Sequence, residues 1–194
     1  MHNVCVFCGS QSGTNGGHAE TARELGRELA RRGLALVYGG GRVGLMGEVA
    51  AAALRAGGAV VGVIPQSLSA KEIAFGEATE LVVVDTMHER KALMADRSDA
   101  FVALPGGFGT CDELFEILSW GQLGIHRKPV AVLNAGGFFD PLLALADHMT
   151  AEGFLKAKHR ELLLVAGSVP ELFDKLEAYH PPAPTEKWAT REER

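Results

Sequence analysis

Residues 100–113 read Ala-Phe-Val-Ala-Leu-Pro-Gly-Gly-Phe-Gly-Thr-Cys-Asp-Glu, an apolar run followed by a glycine-rich turn and a polar segment. Glycines let the backbone turn sharply and let a ligand approach the main chain, and a following helix directs N–H groups and partial positive charge at an anion. The stretch therefore predicts a buried strand, an anion-binding turn and a helix. Thr110 and Glu113 have capping-box spacing, which predicts Thr110 as the N-cap and gives Glu113 a structural role that needs no ligand.

Apolar runs rich in β-branched residues recur along the chain, as expected of strands buried on both faces. They occupy residues 4–7, 35–38, 59–64, 81–84, 100–104 and 130–133. Segments with helical spacing separate them, at residues 19–32, 45–56, 87–97, 112–123, 140–152 and 170–179. This alternation predicts an α/β, Rossmann-like, doubly wound fold: a mainly parallel sheet of six or seven strands with helices on both faces, residues 162–165 being the seventh or edge strand.

The length of 194 residues and the hydrophobic content of 47% suit one well-buried domain. We expect a single nucleotide-binding domain over residues 1–179. Residues 180–184 contain three prolines and charged residues follow, so we expect 180–194 to be a flexible tail.

The formal net charge of -5 argues against nucleic acid or an anionic membrane as the main partner. The chain starts without the pattern of a secretory signal and has no apolar stretch of the roughly 18 residues that a membrane span needs, so we expect a cytoplasmic protein. Cys5 and Cys8 form a C-x-x-C, but side chains three apart on a strand point to opposite faces. We therefore predict two buried cysteines and no metal site.

Three predicted strands end in turns rich in glycine or small residues, at 8–13, 39–44 and 105–110. The carboxyl ends of parallel strands open on one edge of the sheet, where ligands bind. The turns should therefore converge on one nucleotide or sugar-phosphate crevice, with Ser10, Gly40 and Gly41 among the residues that line it.

Sequence patterns argue against two classes of phosphate-containing ligand, the dinucleotides and the nucleotides of Walker A proteins. Gly39-x-Gly41-x-x-Gly44 matches a dinucleotide fingerprint, but the next strand ends at residues 63–66, Val-Ile-Pro-Gln, without the acidic residue that holds a ribose hydroxyl. No lysine followed by Ser or Thr completes a Walker A loop. We expect a mononucleotide or phosphosugar ligand and no cofactor.

Arg90 and Lys91 follow the fourth predicted strand, near the start of a helix. Cations there oppose the helix macrodipole, so an anionic partner would explain their placement. The alternative is a solvated helix face.

The motifs together resemble the LONELY GUY (LOG) family of cytokinin riboside 5'-monophosphate phosphoribohydrolases. The residues that carry the resemblance are Met-His-Glu-Arg-Lys at 87–91, Pro-Gly-Gly-Phe-Gly-Thr-Cys-Asp-Glu at 105–113, Trp-Gly-Gln-Leu-Gly-Ile-His at 120–126, and Lys128-Pro129. Phe-Cys-Gly-Ser at 7–10, Tyr-Gly-Gly-Gly at 38–41 and Gly-Leu-Met-Gly at 44–47 extend it over residues 3–155. The resemblance implies a homodimer that hydrolyses the N-glycosidic bond of a nucleoside 5'-monophosphate, AMP or an N6-substituted AMP, to free base and ribose 5-phosphate.

The resemblance also implies roles for individual residues. Arg90 and Glu113 would be catalytic, and the substrate-binding residues would be Glu72, Lys91, Gly106, Gly107, Gly109 and Thr110. The family usually has Leu-Glu where this chain has Cys111-Asp112, a departure that leaves Glu113 in register.

The residue types suit this chemistry. Glycosidic cleavage passes through an oxocarbenium-like state, so a carboxylate beside the ribose can stabilise charge, hold hydroxyls or activate water. We assign that role to Glu113. Arg90 would either clamp the phosphate or assist the departing base.

Two other functions remain as alternatives. One is a non-catalytic carrier like the molybdenum-cofactor carriers, which resemble this fold and share its glycine loop. The other is lysine decarboxylation, an older name for the family, for which the sequence offers no obvious Schiff-base lysine.

Overall fold

The computed structural model describes residues 1–69 and 74–181. Its centre is a seven-stranded, all-parallel sheet in the order β4-β3-β2-β1-β5-β6-β7. The strands are β1 Asn3–Phe7, β2 Ala35–Tyr38, β3 Val60–Pro65, β4 Glu80–Val84, β5 Ala100–Ala103, β6 Val130–Leu133 and β7 Leu163–Ala166. The doubly wound fold is confirmed, and the seventh strand forms one edge of the sheet.

Helices connect the strands and cover both faces of the sheet. They are α1 Gly17–Arg31, α2 Gly44–Arg55, α3 Gln66–Ser69, α4 Met87–Asp96, α5 Phe108–Leu123, α6 Asp140–Ala151, α7 Ala157–Arg160 and α8 Val169–Glu177, with a 3-10 turn at Ala135–Gly137. The six longer helices were predicted. The single turns α3 and α7 were not, because four residues are too few to show a helical period.

The central strands divide their side chains between two cores. Alternate residues of β1 enter opposite cores, because successive side chains of a strand point to opposite faces. Cys5 therefore lies in one core and Cys8, just after the strand, in the other; both are buried free thiols. The prediction of two buried cysteines is confirmed. Burial raises the pKa of both thiols, and the nearby Glu113 carboxylate adds to the effect.

Helices α1 and α2 approach each other closely on one face. Gly26 of α1 lies against α2, where an added Cβ would stand 2.4 Å from the carbonyl oxygen of Val49 and 3.0 Å from the backbone nitrogen of Ala53. Glycine at this position permits the contact between the two helices.

The winding of the chain reverses between β1 and β5, since β1 continues to β2 on one side and β5 continues to β6 on the other. A crevice is expected at the carboxyl ends of the strands at such a point. Hydrogen bonds join the turns there: Gly9 N donates to the carbonyl of Pro105 (3.0 Å), and Leu45 N donates to the carbonyl of Gly9 (3.0 Å). The turns after β1, β2 and β5 thus converge as predicted.

No helix in the described ranges is both long and apolar enough to cross a membrane.

Candidate functional site

A cavity of about 410 Å³ opens at the junction of β1 and β5. The turn after β1 forms one side and the turn after β5 forms another, while His18, Leu45 and Phe138 complete the lining. Ser10, Gly106 and Gly107 lie in its wall. The structure therefore brings these three candidate binding residues together around one space.

Helix α5 starts at the edge of this cavity, and it starts earlier than predicted. Gly107 is the N-cap, with φ −95° and ψ −152°, and no side chain caps the helix. Thr110 lies inside the first turn, so the prediction that Thr110 is the N-cap and Glu113 its capping-box partner is wrong. The physical reason is the Gly106-Gly107 turn, which lets the helix begin at Phe108 directly after the strand.

The early start leaves amides available for an anion. The first helical hydrogen bond near this end runs from Cys111 N to the carbonyl of Gly107 (3.1 Å). The amides of Phe108, Gly109 and Thr110 precede it, as in helix N-termini that bind phosphate. The Thr110 side chain is buried and packs on Gly106, where an added Cβ would stand 2.0 Å from Thr110 Oγ1. The Thr110 side chain thus packs against the Gly106-Gly107 turn and stabilises it.

Arg90 and Glu113 form a buried ion pair beside this turn. Arg90 Nη1 donates to Glu113 Oε1 at 2.8 Å, and each side chain is only 10% exposed. Arg90 Nε donates to the carbonyl oxygen of Val63 at 3.1 Å, at the end of β3. Charged side chains are rarely buried unless paired, and a buried pair of this kind is a candidate for a functional role.

The pKa of Glu113 lies above its ordinary value. Burial disfavours the charged carboxylate and raises the pKa, whereas the Arg90 guanidinium opposes the shift without cancelling it. The carboxyl group can therefore exchange a proton closer to neutrality than an exposed glutamate.

A capping box fixes the start of α4, the helix that carries Arg90. Glu89 N donates to Thr86 Oγ1 (3.1 Å), and Glu89 Oε2 accepts from the amides of Thr86 (3.2 Å) and Asp85 (2.9 Å). The sequence signal, Thr86-x-x-Glu89, has the same spacing as the one at Thr110, but this capping box was not among the predictions from the sequence.

Lys91 joins α4 to α5. Its Nζ donates to Glu116 (2.9 Å) and Asp112 (3.2 Å), and the side chain is 12% exposed. Partial burial alone would lower the pKa of Lys91, but the hydrogen bonds with Glu116 and Asp112 raise it above the ordinary value. The anions that Arg90 and Lys91 meet in the structure are thus carboxylates of α5.

The remaining candidate binding residues are not part of the described cavity wall. Gly40 has φ +74° and its carbonyl accepts from Phe75 N (2.9 Å), while Gly41 forms an isolated bridge with Ala74. These contacts give the two glycines structural roles, and neither lines the cavity. Gly109 lies in the first turn of α5 with open space around its Cα. Glu72 lies outside the described residues.

Among the residues that the structure describes, metal ligands do not gather at this site. Across residues 1–69 and 74–181, no three or more His, Cys, Asp or Glu side chains are grouped to hold a metal ion.

The fold and the site define a class: doubly wound α/β proteins with a ligand crevice at the carboxyl edge of the sheet. A family model described as "Possible lysine decarboxylase" matches residues 46–176. The "Probable cytokinin riboside 5'-monophosphate phosphoribohydrolase LOGL9" of Oryza sativa subsp. japonica is 54% identical over 181 residues, covering 93% of this chain and 80% of that protein. The "Cytokinin riboside 5'-monophosphate phosphoribohydrolase LOG5" of Arabidopsis thaliana is 50% identical over 178 residues, covering 92% and 78%. The chain belongs to this LOG family.

Two solved structures with the same fold are more distant in sequence. The molybdenum cofactor carrier protein of Chlamydomonas reinhardtii has a TM-score of 0.68 at 24% identity, covering 91% of this chain and 96% of that one. The molybdenum cofactor binding protein of Rippkaea orientalis has a TM-score of 0.70 at 20% identity, with coverage of 91% and 96%. At these identities the likeness concerns the fold alone.

Proposed function

We propose that this protein hydrolyses the N-glycosidic bond of a nucleoside 5'-monophosphate and releases the free base and ribose 5-phosphate. The observation that carries the proposal is the buried Arg90–Glu113 pair, which lies beside a helix N-terminus suited to phosphate. Relatives that are about half identical are named for this reaction on cytokinin riboside 5'-monophosphates.

The phosphate group binds at the start of α5. The amides of Phe108, Gly109 and Thr110 supply hydrogen-bond donors, and the helix dipole adds positive potential. Ser10 and the Gly106-Gly107 turn face the same cavity, so they contact the phosphate or the adjoining ribose. In this proposal the sugar extends from the phosphate towards Glu113, which lies one further turn along α5.

Glu113 acts on the ribose. Its carboxylate stabilises the positive charge that develops at the anomeric carbon and activates the attacking water. The water supplies a hydroxyl group to that carbon and a proton to the leaving base nitrogen, so base and ribose 5-phosphate account for all the atoms. The raised pKa of Glu113 suits a group that takes up and releases a proton during the cycle.

Arg90 holds Glu113 in place and favours its ionised form, because the guanidinium lowers the pKa that burial raises. Its Nε and Nη1 are occupied by Val63 and Glu113, whereas Nη2 donates to none of the described residues. Nη2 therefore provides donors for a substrate oxygen or for the departing base.

A decarboxylase acting through an imine would need a lysine that deprotonates readily. Among the residues that the structure describes, Lys91 lies beside the pair, and two carboxylates hold it and raise its pKa. This environment opposes nucleophilic use of Lys91, so the hydrolase is the better-supported function.

Incubation of the purified protein with AMP and with isopentenyladenosine 5'-monophosphate, followed by chromatography of the released base, tests the proposal. Glu113→Gln and Arg90→Ala should lose most of the activity, while Glu24→Gln, an exposed change on α1, should retain it. No free base from either nucleotide, or full activity in both site variants, would contradict hydrolysis. Tight binding of a nucleotide without turnover would instead favour a carrier.

We further propose that the protein is a cytoplasmic homodimer. Large apolar side chains on and near α5 and α6 are open to solvent, notably Phe108 (97% exposed) and Phe154 (89% exposed), and burial against a second copy would remove them from water. Size-exclusion chromatography with light scattering should give twice the mass of one chain. The mass of a single chain would contradict the dimer.

A further inference from the structure

We infer that Gly39 is a positioning residue for the reaction, because the absence of a side chain at this position lets the Arg90 guanidinium reach Glu113. Gly39 directly follows β2 and is buried. A Cβ added to Gly39 would stand 1.8 Å from Arg90 Nη2 and 3.0 Å from Arg90 Cζ. The guanidinium therefore occupies the space that any other residue would fill.

The backbone does not itself require glycine here. Gly40 and Gly44, in the same turn, have φ of +74° and +61°, a conformation that other residues rarely adopt. Gly39 has no such positive φ, so alanine can adopt its backbone conformation. What excludes a side chain at position 39 is the guanidinium of Arg90.

Three contacts hold the guanidinium, and they are linked by its planar geometry. Nε donates to the carbonyl of Val63, Nη1 donates to Glu113, and Nη2 packs on Gly39. Because the group is rigid and planar, pushing Nη2 away from position 39 also moves Nη1 away from Glu113. The atom that must move is the end of a flexible side chain, so Gly39→Ala should disturb the ion pair and leave the fold intact.

Displacement of Arg90 would change the pKa of the Glu113 carboxyl group. A buried Glu113 with a displaced Arg90 loses the opposite charge that favours its ionised form, so its pKa rises further. This step rests on the proposed hydrolysis: if Glu113 must be ionised to act, Gly39→Ala lowers kcat/KM by about 100-fold, as expected of a misplaced catalytic group. The acid limb of the pH profile also moves to higher pH.

The test compares Gly39→Ala with Gly167→Ala, a control in which the added Cβ meets only the Glu171 carboxylate at 3.4 Å, after the edge strand β7. Gly39→Ala should lose activity and shift the pH profile, with a circular dichroism spectrum close to that of wild type. Gly167→Ala should match wild type in all of these. Equal kcat/KM and an unchanged acid limb in Gly39→Ala would overturn the inference.

A double-mutant cycle separates this role from a general effect on packing. Arg90→Lys removes Nη2 and so removes the collision, and in that background Gly39→Ala should cause little further loss of kcat/KM. If Gly39→Ala alone does not fold, the Gly39→Ala/Arg90→Lys protein must fold, because the clash is gone. An equal cost of Gly39→Ala in both backgrounds, or failure of both proteins to fold, would refute the role.

A measurement that needs no turnover separates the inference from the proposed function. Side-chain carboxyl carbons of labelled glutamate are titrated by NMR, and the signal absent from Glu113→Gln is assigned to Glu113. Its midpoint should be higher in Gly39→Ala than in wild type, and an unchanged midpoint would contradict the positioning role. If wild type hydrolyses neither nucleotide, the hydrolase proposal fails, and this titration still decides the role of Gly39.

Discussion

Glu113 shows how far a single carboxyl group depends on its surroundings. Exposed on a helix, it would ionise well below neutral pH; in this structure burial raises its pKa above 4.5, despite the hydrogen bond from Arg90. The fraction of ionised Glu113 therefore grows as the pH rises through that raised pKa. Any reaction that uses the carboxylate should follow this titration.

The first prediction concerns the pH dependence of base release. In wild type, kcat/KM should increase with pH on the acid side, with a midpoint higher than the ordinary pKa of a glutamate, because only ionised Glu113 supports the reaction. Glu113→Gln should lower the rate by about 100-fold or more and abolish this limb. Initial rates of base release across acid and neutral pH check both points. An acid limb that persists in Glu113→Gln would assign it to another group.

The pairing of Arg90 and Glu113 could not be derived from the pattern of residues alone. The two residues are 23 positions apart, and their contact depends on how α4 and α5 lie against the sheet. Their chemical types and the resemblance to a known family identified both as candidates. The sequence analysis did not indicate that the anions facing Arg90 and Lys91 would be side chains of α5.

At the scale of elements, helix starts were the least predictable feature. Thr86 and Thr110 each have a glutamate three residues later, and of these two only Thr86 forms a capping box. They differ in what precedes them: Gly106-Gly107 lets α5 start before Thr110, whereas Thr86 follows a strand by two residues. Spacing alone does not distinguish them, because the backbone before the helix decides where it begins.

Removal of the α4 cap should destabilise the protein moderately. Thr86→Ala leaves the amide of Glu89 without its side-chain acceptor, and we expect a loss of about 1 kcal/mol in the free energy of unfolding. Thr86→Ser retains the hydroxyl and should remain near wild type. Urea denaturation measures both, and equal stabilities of the two variants would contradict the role of the cap.

Disrupting the contact between α1 and α2 should lower the free energy of unfolding more than removal of the α4 cap does. Gly26→Ala places a methyl group 2.4 Å from the backbone oxygen of Val49, which cannot move as a side chain can. The helices must separate, and we expect a loss of about 1–3 kcal/mol in the free energy of unfolding. Gly109→Ala, where the added Cβ meets nothing within 4 Å, is the matched control for stability and should not be destabilised. Equal unfolding free energies in the two variants would show that the helices tolerate the separation.

At the scale of the molecule, the pattern of buried strands predicted most of the architecture. Strands such as β5 and β6, which are buried on both faces, appear in the sequence as continuous apolar runs between helical segments. The edge strand β4 is partly exposed and was still recognised from its run of valines. The convergence of the turns was predicted, but the particular backbone contacts that join them were not, because they form between residues far apart in the chain.

Gly44 joins two of those turns and provides a test of this interlocking. With φ +61°, it packs on the backbone of the first turn, where an added Cβ would stand 2.3 Å from the carbonyl carbon of Ser10 and 2.4 Å from Gln11 N. Gly44→Ala should therefore lower the free energy of unfolding by about 2–3 kcal/mol and weaken nucleotide binding together. Thermal unfolding and calorimetric titration with AMP measure the two effects. Undiminished affinity in a destabilised variant would show that the turns act independently.

The buried Arg90–Glu113 pair also has an evolutionary consequence. Both charges are removed from water, and the raised pKa of Glu113 shows that burial makes its ionised form less favourable than in an exposed glutamate. Two apolar side chains of similar volume would suit the same place at least as well for folding alone. Selection for heat resistance without selection for turnover should therefore replace this pair early. Its presence in a natural chain indicates selection for a property other than stability.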